Sequence, residues 1–170
     1  GGSAGTVTVA GAQAVQGLQF TVDGYRLAGP GALVLTGDPF TTAGQSFVTV
    51  DAGVSATIAT GLTGGAPGIG LRKLGSGTLT LAGAGTYTGA TTVEAGTLAL
   101  AAGGTLTSSV TTQAGGSFAN AGTVGGGLTN AGSATNDGTL AGPAANGGSF
   151  VIRDSTGTLT SNAGTVTNTG

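Results

Sequence analysis

Four residue types are missing from the sequence: cysteine, histidine, methionine and tryptophan. Without histidine no Ser-His-Asp triad can form, and without cysteine there is neither a thiol nucleophile nor a Cys/His zinc site. The absence of cysteine also suits an exported protein that forms no disulfides. Because methionine is missing even at position 1, we expect the 170 residues to be a piece of a longer protein.

Charge is nearly as scarce, with four Lys or Arg and six Asp or Glu giving a formal net charge of −2. So few cations cannot neutralise the phosphates of a nucleic acid. No run approaches the roughly 18 apolar residues of a membrane-spanning helix, and no basic segment precedes an apolar one as in a signal peptide. We therefore expect neither a nucleic-acid partner nor insertion of this segment into a membrane.

Glycine, by contrast, is abundant, with 38 residues. It does not recur at every third position, which excludes collagen, and the mean hydropathy of +0.33 is too high for a disordered chain. The remaining interpretation is β structure with many tight turns, where glycine adopts a positive φ without steric cost. Residues that favour helices are too few to build an amphipathic helix, so the fold class is predicted to be all-β.

One short strand occurs twice, first as Gly77-Thr-Leu-Thr-Leu81 and then as Gly96-Thr-Leu-Ala-Leu100. Leucines alternate with small or polar residues in both copies, as in strands with one buried face. A unit so small cannot bury its own leucines and has to stack on a neighbour of the same kind. The pattern predicts one single-stranded parallel β-helix over residues 1–170, with roughly eight rungs of ~20 residues. Its leucines are predicted to meet along the axis and its threonines to face outward.

The C-terminal half repeats two other patterns. Gly138-Thr-Leu140 recurs as Gly157-Thr-Leu159, at the same interval as the two strand copies, which predicts the same coil length there. Asparagine two residues before glycine marks several turns, and asparagine tolerates left-handed corners. Asparagines at successive corners are also expected to hydrogen-bond one another in a ladder. The four turns are Asn120-Ala-Gly122, Asn130-Ala-Gly132, Asn136-Asp-Gly138 and Asn162-Ala-Gly164.

Carboxylates are the remaining candidates for catalysis, and glycosidase chemistry needs two of them facing each other. Asp23 and Asp51 follow equivalent strands, so two interpretations stay open: a pair across rungs, or turn-capping side chains, which we favour. The cations are too scattered for a polysaccharide lyase, and the calcium motif G-G-x-G-x-D is absent. We therefore assign no catalytic, metal-binding or cofactor-binding residue. The acids are Asp23, Asp38, Asp51, Glu94, Asp137 and Asp154, and the cations are Arg26, Arg72, Lys73 and Arg153.

Tyr87 and the threonine pairs are candidates for binding. Tyr87 is either an exposed ring that stacks on sugars or, as we favour, a side chain packed against the next coil. Pairs of outward threonines would suit an ice-binding array, but they do not recur at a constant interval, and threonine is an ordinary exposed strand residue. The pairs are Thr6/Thr8, Thr78/Thr80, Thr105/Thr107, Thr158/Thr160 and Thr165/Thr167.

A longer pattern around the two strand copies resembles the autotransporter-associated β-strand repeat, found in passenger domains of type V secreted proteins of Gram-negative bacteria. The resemblance covers about residues 53–100, and one departure is Gly85, where the repeat often has asparagine. The residues that carry it are Leu71-x-Lys73-x-Gly75-x-Gly77-Thr-Leu79-x-Leu81-x-Gly83, Tyr87-Thr-Gly89, Thr91-Thr-Val93 and Gly96-Thr-Leu98.

This resemblance implies a right-handed parallel β-helix that is exported through a C-terminal outer-membrane β-barrel translocator of the parent chain. It also implies display at the cell surface or release from it. The segment would be a non-catalytic stalk that supports secretion, folding and adhesion, without a cofactor. Host-surface ligands, glycan ligands and self-association are the partners to consider. A carbohydrate-binding or carbohydrate-active β-helix is the alternative, and an ice-binding solenoid is a weaker one.

Overall fold

The protein is described by a computed structural model that covers residues 4–39, 44–153 and 156–169, with the backbone alone over 156–161. The described residues form 21 strands and no helix, and every strand pairing between them is parallel. The strands are β1 (Thr6–Thr8), β2 (Ala12–Val15), β3 (Gly17–Phe20), β4 (Tyr25–Ala28), β5 (Ala32–Leu35), β6 (Gln45–Val50), β7 (Ser55–Ile58), β8 (Gly61–Gly64), β9 (Gly70–Leu74), β10 (Thr78–Leu81), β11 (Ala84–Gly85), β12 (Thr91–Leu100), β13 (Thr105–Leu106), β14 (Val110–Asn120), β15 (Thr123–Val124), β16 (Leu128–Asn130), β17 (Ser133–Asn136), β18 (Thr139–Asn146), β19 (Ser149–Ile152), β20 (Thr156–Asn162) and β21 (Thr165–Asn168).

The strands stack into three faces, and the chain visits the faces in the same order in every turn. Face A contains β1, β4, β7, β10, the second halves of β12 and β14, β17, β19 and β21. Face B contains β2, β5, β8, β11, β13, β15 and the starts of β18 and β20. Face C contains β3, β6, β9, the first halves of β12 and β14, β16 and the ends of β18 and β20. The predicted all-β parallel solenoid of roughly eight rungs is confirmed, and its handedness stays a prediction.

The leucines of the two strand copies lie where the alternation predicts. Leu79 pairs with Leu98 and Leu81 with Leu100 on the next rung, and all four are at most 1% exposed. The intervening Thr80 faces outward and is half-buried by its neighbours. Burial of each leucine stabilises the fold by roughly 1.5–3 kcal/mol, so this stack dominates the middle of the core.

Rung length is not constant, and the coil length predicted for the C-terminal half is wrong. On face A, Leu98 pairs with Phe118, Phe118 with Ala134 and Ala134 with Phe150, so the later rungs are shorter than the earlier one. Residue Leu159 consequently pairs with Ala144 on face C, not with the leucine of the earlier Gly-Thr-Leu motif on face B. A short motif of common strand residues had recurred on two different faces.

The corners of the solenoid are built in two ways. Ten described residues have a positive φ, all of them glycines between Gly11 and Gly103, such as Gly75 at 73°. No described asparagine has a positive φ, so the predicted left-handed asparagine corners are wrong. Those asparagines end extended strands, and the residue two positions after each of them is a glycine because a Cβ there would collide with the preceding rung. A Cβ on Gly148 would collide with the carbonyl oxygen of Gly132 on the preceding rung.

Candidate functional site

A buried lysine holds the corner between faces C and A in the middle of the solenoid. The side chain of Lys73 points into the interior and is fully buried. Its Nζ donates to the carbonyl oxygens of Leu74 at 2.9 Å and Gly75 at 2.7 Å, and to that of Ala95 on the next rung at 3.2 Å. Three donors thus meet three backbone acceptors, which is the full donor capacity of an ammonium group. The lysine therefore joins its own corner to the rung that follows.

The environment of Lys73 shifts the protonation equilibrium of its ammonium group. Burial lowers the pKa of Lys73 from 10.5 to about 8, because the charged form loses its water. The three carbonyl groups it binds lie at the turn between faces C and A on its own rung and on the next. Among the cations considered from the sequence, Lys73 is interior, whereas its neighbour Arg72 faces outward and pairs with Glu94 at 2.6 Å. The alternation Leu71-x-Lys73 was the signal that could have identified it.

A chain of hydroxyl groups crosses the core at the following corner between faces B and C. Tyr87 is 1% exposed, and its hydroxyl lies 2.7 Å from Oγ1 of Thr91, which lies 2.9 Å from Oγ of Ser108 on the next rung. Burial raises the pKa of Tyr87 to about 12. The predicted packing of this ring against the next coil is confirmed, and an exposed ring for sugar stacking is excluded. Gly85 lies beside the ring, where an added Cβ would be only 2.6 Å from Leu106.

Two asparagine ladders run along the C-terminal rungs, as predicted, and all their members except the exposed Asn162 are buried. On face C, Nδ2 of Asn130 donates to Oδ1 of Asn146 at 2.7 Å, and Nδ2 of Asn146 donates to Oδ1 of Asn162 at 2.8 Å. On face A, Nδ2 of Asn120 donates to Oδ1 of Asn136 at 2.6 Å. Asn146 was not among the predicted corners, although Asn146-Gly-Gly148 fits the same pattern one rung after Asn130.

The ladder on face C and the buried lysine belong to one interior row. Strand register places Lys73, Val93, Thr112 and Asn130 on successive rungs at the same inward position. Within the described residues, two buried oxygens have no hydrogen-bond partner, and both lie where this row changes from apolar to amide: Oγ1 of Thr112 and Oδ1 of Asn130. The ladder therefore begins with an unused acceptor.

Asp23 and Asp51 each accept a hydrogen bond from a neighbouring rung. Asp23 and Asp51 lie at the same corner of adjacent rungs, but Oδ1 of Asp23 accepts from the backbone N–H of Ser55 at 2.7 Å. Oδ1 of Asp51 accepts from the side chain of Gln19 at 3.4 Å. The bond to the corner N–H of Ser55 fits the favoured turn-capping interpretation for Asp23. Asp51 instead binds a side chain of the preceding rung, so the choice between the two interpretations stays a prediction.

The other acids and cations do not gather into a metal site within the described ranges. Asp137 pairs with Arg153 at 3.4 Å on the surface, and Asp154 lies outside the described residues. No cluster of three or more metal-ligating side chains occurs over residues 4–39, 44–153 and 156–169. The described part of the chain also contains no helix long and apolar enough to cross a membrane.

The outer surface of face A carries an uncharged row of hydroxyl groups. Rungs of different length still stack in register, so threonine pairs can line up on one face without recurring at a constant sequence interval. The lack of such an interval was therefore not a valid argument against a threonine array. The second outward row nevertheless contains Ala99, Ala119 and Val151, so the pairs do not form a continuous array. The side chains of Thr158 and Thr160 lie outside the described residues. The hydroxyl row consists of Ser55, Thr78, Thr97, Ser117, Ser133, Ser149 and Thr165.

Comparison with known proteins agrees with this architecture. Residues 71–100 match the family described as Passenger-associated-transport-repeat. The match confirms the resemblance of this stretch to an autotransporter passenger repeat. Lys73, Tyr87 and Thr91 all lie within the repeat, so it contains both the lysine corner and most of the hydroxyl chain.

One curated relative extends the likeness beyond the repeat. The chain is 38% identical over 102 residues to the "Adhesin BmaC autotransporter" of Brucella suis biovar 1 (strain 1330), an alignment that covers 54% of this chain. The chain spans only 3% of the length of that protein. No solved structure matches the chain significantly.

Proposed function

We propose that the chain is one β-helical segment of an autotransporter passenger, a non-catalytic stalk that supports secretion, folding and adhesion. The observation that carries this proposal is the transport repeat at residues 71–100, set in a solenoid in which the described rungs pair in parallel with their neighbours. The similarity to an autotransporter adhesin supports it. The segment would be displayed at the cell surface, or released, after passing through a C-terminal outer-membrane β-barrel of the parent chain.

The proposed physical role of the repeat is to template the rungs that follow it. Lys73 binds its own corner and also the carbonyl of Ala95 on the next rung, and Thr91 reaches forward to Ser108 in the same way. Each completed rung offers an edge of unpaired N–H and C=O groups to the next segment of chain. Such sequential folding needs no disulfide, which suits a chain that emerges from a narrow pore in one direction.

Adhesion is the finer part of the proposal. The uncharged hydroxyl row on face A favours a surface for contact. Such contact would be with host surfaces, glycans or other copies of the chain. Direct binding of the purified chain to glycan arrays and to host cells tests this part. Binding that is no greater than that of an unrelated solenoid would restrict the role of the segment to that of a stalk.

The templating role is tested by removing one rung from the full-length parent. Deleting residues 78–96 removes one turn of the repeat and keeps the register, because Thr78 pairs with Thr97. The matched control deletes residues 133–148, one turn of the asparagine rungs, because Ser133 pairs with Ser149. We expect the first deletion to slow the appearance of the passenger at the cell surface, followed by protease accessibility, and the second to leave it nearly unchanged. Equal kinetics for both deletions would contradict the proposal.

A further inference from the structure

The asparagine ladder of face C contains a dipeptide with its own chemistry, Asn146-Gly147. The other asparagines of the sequence are followed by Ala, Asp or Thr, and only Asn146 is followed by glycine. In an unfolded chain the glycine nitrogen attacks the side-chain amide carbon of the preceding asparagine, because no side chain hinders the approach. A C–N bond to the backbone nitrogen forms, the bond to Nδ2 breaks, and the NH2 group leaves as ammonia with the proton that the backbone nitrogen gives up. Water then opens the succinimide ring to aspartate or isoaspartate.

In the folded solenoid both reacting groups are held apart by hydrogen bonds. The nucleophile, the N–H of Gly147, donates to the carbonyl of Asn130 at 2.7 Å. The amide of Asn146 is 3% exposed, and its Oδ1 accepts from Asn130. The two hydrogens of its Nδ2 are shared among three acceptors: Oδ1 of Asn162, the carbonyl of Gly148 at 3.1 Å and that of Thr165 at 3.2 Å. Neither group can approach the other until the ladder opens.

We propose that Asn146-Gly147 is a deamidation site that is closed in the folded solenoid and open in the unfolded chain. The extent of deamidation at Asn146 therefore increases with the time that a molecule has spent unfolded. Deamidation also prevents late folding, because a carboxylate oxygen in place of Nδ2 faces three acceptors: Oδ1 of Asn162 and the carbonyls of Gly148 and Thr165. Two hydrogen-bond acceptors that face each other in a buried site repel each other and stay without a donor, which is strongly unfavourable. Isoaspartate adds a backbone carbon as well, which disturbs the register between rungs.

The ladder supplies matched internal controls for a test. Asn130 and Asn162 occupy the same inward row, but alanine follows each of them, and the N–H groups of Ala131 and Ala163 donate across rungs as that of Gly147 does, at 2.8 Å and 2.7 Å. The chain is incubated at pH 8 in native buffer and in urea that unfolds it. Deamidation at each asparagine is then followed by peptide mapping with tandem mass spectrometry.

In urea we expect deamidation at Asn146 to outpace that at Asn130 and Asn162. In native buffer deamidation at Asn146 should be slower by at least about tenfold, because the reaction then requires local opening of the ladder. Equal rates at Asn146 in the two buffers would overturn the proposal, and so would equal rates at the three asparagines in urea.

Two substitutions separate the effect of deamidation from that of a folding defect. Gly147→Ala keeps the ladder, because its Cβ would lie 3.6 Å from the carbonyl oxygen of Asn130 and its φ is not positive. This variant should melt like the unsubstituted chain and should deamidate at residue 146 in urea no faster than at Asn162. Asn146→Asp copies one product directly, and we expect it to lose the cooperative unfolding of the C-terminal rungs. An Asn146→Asp variant as stable as the unsubstituted chain would refute the claim that deamidation prevents late folding.

Discussion

The repeat region around residues 71–103 and the asparagine rungs after residue 117 place different donors at their corners. In the repeat region the ammonium group of Lys73 donates to corner carbonyls, and glycines with a positive φ turn the chain. In the later rungs the side-chain amide of an asparagine is the donor. Nδ2 of Asn146 lies within hydrogen-bonding distance of the carbonyls of Gly148 and Thr165, and the Gly148 carbonyl also accepts from the backbone N–H of Thr165. The later rungs are also shorter than those of the repeat region.

This difference teaches that rung length and interior chemistry are linked. A longer rung encloses room for leucine stacks, so most of its interior is apolar and a single lysine serves one corner. In a shorter rung the inward residue at the end of the strand is an asparagine, which donates to a corner carbonyl. Leu100 and Asn120 pair directly at the same inward position of face A, which places the change between two consecutive rungs.

The largest effect on stability is expected when an asparagine, the interior residue of the later rungs, is placed in the leucine stack of the repeat region. Leu81→Asn places an amide in the leucine stack, 1% exposed, where the structure shows no ladder partner for it. We expect a loss of about 2–5 kcal/mol in the free energy of unfolding, measured by urea denaturation. Thr80→Asn, one position along and facing outward, is the control and should lose well under half as much. Similar losses of stability for both variants would show that the interior accepts an asparagine as readily as the outer surface does.

The two buried titratable groups of the repeat predict an unusual dependence of stability on pH. Between pH 8 and 10.5 the unfolded chain holds a proton that folded Lys73 has released, so the free energy of unfolding rises with pH, by up to about 3 kcal/mol. Above pH 10 the unfolded chain loses the Tyr87 proton that the folded chain keeps up to pH 12, so the free energy of unfolding falls. Stability should therefore be greatest near pH 10.

Single substitutions separate these two contributions. Lys73→Met should remove the rise between pH 8 and 10, and Tyr87→Phe should remove the fall above pH 10, both followed by thermal unfolding at each pH. The asparagine rungs have no buried titratable group among their described side chains and should add nothing to either slope. A rise that persists in Lys73→Met would contradict the assignment.

Glycine substitutions distinguish the two kinds of corner by a smaller effect. Gly103 has a φ of 83° and nothing within 4 Å of an added Cβ, so Gly103→Ala tests backbone conformation alone. We expect a loss of about 1–2 kcal/mol, the cost of a left-handed conformation for alanine. Gly147→Ala, at a corner without a positive φ, should change stability by less than about 0.5 kcal/mol. Chemical denaturation of both variants measures the difference, and the reverse order would mean that φ does not set the requirement for glycine.

The smallest effect is expected from a substitution that lengthens the asparagine ladder by one rung, toward the two buried oxygens without a hydrogen-bond partner. Thr112→Asn puts an amide donor one rung before Asn130, whose Oδ1 lacks a partner. We expect a gain of about 1 kcal/mol in the free energy of unfolding, the usual net value of one hydrogen bond. Thr112→Val, which supplies no donor, is the control. A Thr112→Asn variant no more stable than Thr112→Val would indicate that the ladder cannot grow in this direction.

Much of the architecture was predictable from local pattern. Alternation at Leu79 and Leu81 is a property of any half-buried strand, so the inward leucines, the outward threonines and the all-β class followed from it. The asparagine ladder was also predictable, because repeated corner residues of a solenoid must stack. The position of Lys73 was not identified, since a lysine in a strand is ordinarily exposed and one of its three carbonyl partners belongs to the next rung.

The amino-acid sequence by itself determined which side chains alternate inward and outward, and it carried the transport repeat at residues 71–100, because both are readable over a few neighbouring residues. Only the tertiary structure decided which residues stack on one another. The number of residues in each rung depends on the geometry of three corners, so the register that joins Asn130, Asn146 and Asn162 emerges only when the whole turn has closed. The interior row from Lys73 to Asn162 is set by that closure and by no local motif.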